Sequence, residues 1–121
     1  MKTSPTQRSL KLMRDLGWHI QVVERWNQWA HVRQDLFGWI DLVACHPQER
    51  GILGIQTTTN EHRIDRLKKA VGNAALVAWL LAGGRLEVHG WRKLKGRWQV
   101  VRAAVGMVDL TVVDPGGLSN G

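Results

Sequence analysis

Residues 38–59, GWIDLVACHPQERGILGIQTTT, decide how this chain folds. Two short apolar runs, Ile40–Cys45 and Ile52–Ile55, flank a polar connector that holds Pro47 and Gly51. Runs of this length, rich in β-branched residues and bounded by turn formers, predict two strands buried on both faces. Each carries a polar intrusion. Asp41 interrupts the first, and Gln56 and Thr58 close the second. Side chains alternate along a strand, so Gln56 and Thr58 share a face. Pairing of the two runs sets Asp41 across from them on that face. A buried carboxylate costs several kcal/mol unless it is paired or holds a metal. Asp41 is therefore either a satisfied core or turn-capping residue, or part of a site.

Composition narrows the function classes. The 121 residues suit one domain with a core that needs no disulfide. Residues 1–113 read as that domain and residues 114–121, DPGGLSNG, as a flexible tail. No apolar run is long enough to span a membrane. The first residues, MKTSPTQRSLKLMRDLGW, lack the apolar region of a signal peptide, which predicts a cytoplasmic protein. A single cysteine, Cys45, excludes an internal disulfide and, in its apolar run, reads as a buried thiol. Five scattered histidines without supporting thiols argue against structural zinc. Seventeen Lys and Arg against ten Asp and Glu give a net charge of +7, which favours a polyanionic partner, most simply nucleic acid. Seven Trp and no Tyr is an unusual aromatic set. Trp79 reads as core, while Trp29 and Trp39 fit either core packing or stacking on unpaired bases.

Outward from the central pair, Ser4-Pro5-Thr6-Gln7 starts a helix that Gly17 ends, with Leu10, Met13 and Leu16 as its apolar stripe. Trp18–Trp26 reads as a strand that places Glu24 on its more apolar face, either at a wet edge or as a member of a site. Asn27–Phe37 lacks periodicity and reads as a polar loop carrying Arg33 and Asp35. After Thr59, Asn60 caps a helix with Ile64, Leu67 and Val71 on one face and Arg63, Arg66, Lys68 and Lys69 on the other. Ala74–Ala82 is a second helix, apolar enough to be buried against the sheet or a partner chain. Leu86–Trp91 and Trp98–Val105 are strands joined by the basic loop Arg92–Arg97, whose Lys93, Lys95 and Arg97 suit phosphate contacts. Val108–Val113 reads as an edge strand.

The order helix, three strands, one or two helices, two strands, with Asp41 in the second strand and a spaced polar pair ending the third, resembles the PD-(D/E)XK nuclease superfamily. Its small Holliday-junction-resolvase-like and virus-type members are the nearest likeness. The resemblance covers about residues 4–105, and VERWN, RQDLFGWIDLVA, GIQTTT and AGGRLEVHGWRKLKGRW match small phage and bacterial proteins of that fold. It implies an α/β, restriction-endonuclease-like core: a mixed central sheet of about five strands flanked by helices. It also implies Mg²⁺ or Mn²⁺ as cofactor, metal-dependent DNA cleavage with branched or junction DNA as a candidate substrate, and a homodimer. Asp41 occupies the family's Asp position, Gln56 its Glu position and Thr58 its Lys position. The last two depart from the motif: Gln56 still fits as a neutral oxygen ligand that would hold the metal with Asp41, but the Thr58 hydroxyl supplies no positive charge. Glu24 or Asp35 is then the candidate for a further metal ligand. Arg33, Arg63 or Lys68 is the candidate for the missing cation, with the remaining basic residues gripping DNA, RNA not being excluded. The alternatives are a nuclease-fold protein that binds nucleic acid without cutting it, or a small phage or bacterial interaction protein.

Overall fold

The computed structural model, which describes residues 3–111, has seven strands, four α-helices and a short 3-10 turn at Asn60–His62 among those residues. They follow as α1 (Pro5–Asp15), β1 (His19–Val22), β2 (Arg25–Asn27), β3 (Val32–Gln34), β4 (Leu42–Cys45), β5 (Leu53–Thr59), α2 (Arg63–Ala70), α3 (Ala74–Leu81), β6 (Arg85–Leu94), β7 (Arg97–Val105) and α4 (Met107–Leu110). Five strands form a mixed sheet in the order β1-β4-β5-β6-β7, and β2 with β3 form a separate ribbon. Only β5 and β6 pair in parallel, a geometry that requires a crossover, and α2 and α3 supply it. The fold is α/β.

Each face of the sheet buries its own apolar layer. Ser4 caps α1 by accepting the Gln7 N–H at 3.2 Å, and Pro5 sets the first helical φ. The helix then lays Leu10 and Met13, with Trp18, on Leu42, Ala44, Leu53 and Ile55. On the opposite face, Ala70, Leu76 and Leu110 of the helices meet Trp39, Ile40, Leu86, Val88 and Val105. Full burial of such side chains stabilises by roughly 1.5–3 kcal/mol each.

Gly51 closes the β4–β5 connector at φ +83°, and a Cβ there would meet the Gly83 carbonyl oxygen at 2.4 Å. Both the left-handed backbone and the backbone contact forbid a side chain. Gly51→Ala is expected to destabilise by about 1–3 kcal/mol, read as a lower urea midpoint with unchanged slope. An unchanged midpoint would show that the connector relaxes freely.

Several expectations need correcting. The segment 18–26 is not one strand: β1 stops at Val22, Val23 and Glu24 leave the sheet, and the chain turns into β2. The loop expected over 27–37 contains β3, so this region is a hairpin rather than irregular chain. Cys45 is exposed: burial alternates along β4, with Leu42 and Ala44 packed under α1, so the strand is not covered equally on both faces and Cys45 ends it on the less covered one. α3 buries only Leu76 fully and leaves Leu81 75% exposed. The basic loop 92–97 shrinks to a Lys95-Gly96 turn with φ of +50° and +77°, as a tight two-residue hairpin requires, and the flanking basic residues lie in strands. Residues 107–110 are helical rather than an edge strand, while 112–113 and the tail 114–121 lie outside the described residues. No helix among the described residues is long and apolar enough to cross a membrane.

Candidate functional site

The site begins where β4 and β5 part. Asp41 extends their ladder by one residue, donating its N–H to the Ile55 carbonyl at 2.8 Å, while its own carbonyl accepts the Val23 N–H at 2.9 Å. Held on both sides, the backbone turns away before another rung forms. The Thr57 N–H would then lack a partner, and Asp41 Oδ2 accepts it at 2.9 Å together with the Thr57 hydroxyl at 3.2 Å. The Thr6 hydroxyl of α1, 2.8 Å away, completes the chain by donating to Thr57. The residue between Gln56 and Thr58, unremarked in the sequence, is thus the one that binds the carboxylate. Its signal was present: a strand N–H beyond the end of a partner strand needs an acceptor.

Two more carboxylates arrive from the hairpin. Glu24 immediately precedes β2 and Asp35 immediately follows β3, so the base of the ribbon carries both. One oxygen each of Glu24, Asp35 and Asp41 lie within 4.8 Å of one another. Asp41 is 5% exposed. Burial, above all, raises its pKa to about 8; the hydrogen bond that protonated Asp41 donates to the Asp35 carboxylate and the negative charges of Asp35 and Glu24 add to the rise, and the Thr57 N–H opposes it. Three carboxylates this close share a proton or a cation. An all-oxygen, acidic donor set fits a hard divalent ion such as Mg²⁺ or Mn²⁺.

These groups line a cleft of about 360 Å³ at the C-terminal end of β5, together with Pro5, Thr6, Gln56–Thr59, His62 and Arg66. Gln56 stands in the wall, but its amide nitrogen is committed to the Trp39 carbonyl at 2.7 Å. Asp41, Gln56 and Thr58 all line this cleft, while the direct hydrogen bonds of the Asp41 carboxylate go to Thr57. Thr58 is 6% exposed. Among the basic candidates, Arg66 lines the cleft, and Arg33 reaches Glu24 Oε1 at 3.2 Å. Arg63 turns to the Asn60 side chain at 3.2 Å, and Lys68 is exposed on α2 beside Lys69. His62, which sequence reading passed over, is a second cationic candidate in the cleft wall. Thr59 separates this cleft from another, lined by Asn60, Glu61, Trp91, Arg92, Lys93 and Trp98, beside which the Arg8 guanidinium stacks 3.6 Å from the Trp98 ring. Lys95 and Arg97 are exposed at the tip of that basic β6–β7 hairpin.

No known protein family, curated protein or solved structure matches this chain.

Proposed function

We propose that the protein is a divalent-metal-dependent nuclease of the PD-(D/E)XK type that hydrolyses DNA phosphodiesters. The observation that carries this reading is the convergence of Glu24, Asp35 and Asp41 in one cleft beside a basic surface. The three carboxylates would hold Mg²⁺ or Mn²⁺, and the ion supplies charge that offsets the negative charge growing on the phosphoryl oxygens. Thr57 and Thr6 fix the Asp41 carboxylate through hydrogen bonds, so its orientation does not depend on solvent. Arg66, and His62 when protonated, take over the electrostatic part that the family gives to the lysine at position 58, since Thr58 is neutral. Lys93, Lys95, Arg97 and the α2 cations Arg63, Lys68 and Lys69 grip the duplex backbone, a contact that salt weakens. A homodimer would use the outward apolar side of α3, where Leu81 is uncovered.

Thr58 favours one competing reading, a nuclease fold that binds DNA and does not cut it. Purified protein incubated with supercoiled plasmid, four-way junction or single-stranded DNA separates the two. Nicking in Mg²⁺ or Mn²⁺ that EDTA stops is the expected result. Salt-sensitive binding with no product under either metal, and no metal uptake by calorimetry, would remove the catalytic reading.

A further inference from the structure

The ribbon of β2 and β3 has no buried face. Its residues are exposed except Asn27, which is half-buried, and the ribbon stands apart from the main sheet. A two-stranded hairpin is marginal alone in water, yet this one presents Trp26 at 58% exposure and Trp29 at 87%. Its tip is nonetheless ordered by its own contacts. Asn27 Oδ1 accepts the Trp29 and Ala30 N–H groups at 3.0 and 3.1 Å, and the Trp26 and His31 rings meet edge-to-face at 6.2 Å. Trp26 and Trp29 border one shallow cleft of about 280 Å³ with Arg25, Asn27, Gln28 and Gln34. Trp26 stands directly opposite Arg33 in the ribbon register, so an indole and a guanidinium share one face.

The charge of the segment identifies its occupant. Residues 25–34 contain two arginines, a histidine and no acid, on a chain of net charge +7. A second copy would set like charges against each other, whereas a polyanion with flat apolar rings satisfies both the indoles and the cations. The ribbon's place then fixes where that occupant sits, because its two strands leave the cluster through Glu24 and Asp35.

We propose that the β2–β3 hairpin is a stacking platform for unpaired DNA bases, so that the substrate carries a single-stranded segment next to the phosphodiester at the acidic cluster. The position of the cut rests on the nuclease reading; the platform itself does not. Trp29 is the principal stacking surface, Trp26 forms the flank of the cleft, and Arg25, which lines that cleft, meets the adjoining phosphate.

The test is equilibrium binding in EDTA, at fixed salt, of a labelled duplex with a single-stranded extension and of the same duplex made blunt. Wild type should prefer the extended duplex. Trp29→Ala should lose roughly five- to hundredfold on it, the range for one lost base stack, with no change on the blunt duplex and no change in melting temperature. Trp29→Phe should keep most of the affinity. No preference in wild type, no loss in Trp29→Ala, or an equal loss on both duplexes overturns the platform. So does a change from dimer to monomer in Trp29→Ala by sedimentation, which would make a second copy the occupant. Cleavage in Mg²⁺ is read separately. Absent cleavage with intact stacking removes the nuclease reading alone, and cleavage indifferent to Trp29 on both duplexes overturns the placement of the single-stranded segment beside the cut.

Discussion

Asp41→Asn is expected to abolish metal-dependent cleavage and, in the metal-free protein, to raise stability at alkaline pH. Both effects have one cause. The wild-type carboxylate is pushed from its ordinary 3.8 to about 8 by burial and by its acidic neighbours. A raised carboxyl pKa means that the folded state holds the proton more tightly than the unfolded chain. Stability from this group is therefore full below about pH 4 and declines as pH rises toward 8. The whole decline is on the order of a few kcal/mol, since the carboxylate is largely buried yet faces the cleft. An asparagine keeps an oxygen to accept the Thr57 N–H and offers its amide hydrogens to Asp35 and Glu24, so the decline disappears. A divalent ion removes it in wild type by another route, since it neutralises the cluster and binds only the folded state. Loss of one of three anionic ligands forfeits several kcal/mol of transition-state charge stabilisation, at least about a thousandfold in rate. Nicking assays and melting curves across pH, with and without Mg²⁺, check both halves. Full-rate cleavage by Asp41→Asn, or parallel pH curves for the two proteins, would sink the assignment.

The sheet was legible from residue patterns, and the site only in part. Ile40–Cys45 and Ile52–Ile55 are short apolar runs, Leu86–Trp91 and Trp98–Val105 follow strand alternation, and all four fall in the central sheet or at its margin. The helix cap Ser4 was equally plain, because a short polar side chain before an apolar stripe has few other uses, whereas Asn60, read as the cap of α2, starts a short 3-10 turn and α2 begins only at Arg63. Glu24 was visible as a candidate because an acid on an apolar strand face needs a reason, and Asp35 because it lies in a polar loop that runs into the Asp41 strand. What alternation could not reveal is the hairpin that unites them. Trp26 and Val32 are apolar but uncovered, so the ribbon has no burial period to detect, and Trp18–Trp26 reads as one continuous strand. Thr57 escaped for the opposite reason. A threonine in a strand is ordinary, and its role arises only from where β4 happens to end. The polar network of β6 was also hidden, since Glu87, His89 and Trp91 fit a half-exposed strand face and are in fact buried beneath α1.

That network sets the second large effect. The Trp91 indole donates to Ser9 Oγ at 2.9 Å, and Ser9 Oγ shares a hydrogen bond of 2.8 Å with His89 Nδ1. His89 Nε2–H donates to Glu87 Oε1, 2.9 Å away, while Arg102 binds both Glu87 oxygens at 3.0 and 3.1 Å. Burial by itself would raise the Glu87 pKa, but the His89 and Arg102 hydrogen bonds and the Arg102 charge outweigh it and lower the value to about 2. A depressed carboxyl pKa contributes stability that is present above the ordinary 4.5 and lost as pH falls through about 2. Glu87→Gln is expected to cost roughly 3 kcal/mol at neutral pH, shrinking toward zero near pH 2. Glu87 and Asp41 share no hydrogen-bond partner, so their effects should add. The metal-free wild type then has a stability curve that rises from pH 2 to about 4.5 on account of Glu87 and falls toward pH 8 on account of Asp41. Glu87→Gln should flatten the acid limb and Asp41→Asn the alkaline one, each leaving the other intact. Urea unfolding at a series of pH values reads both limbs; an acid limb that survives Glu87→Gln would place its origin in other carboxylates.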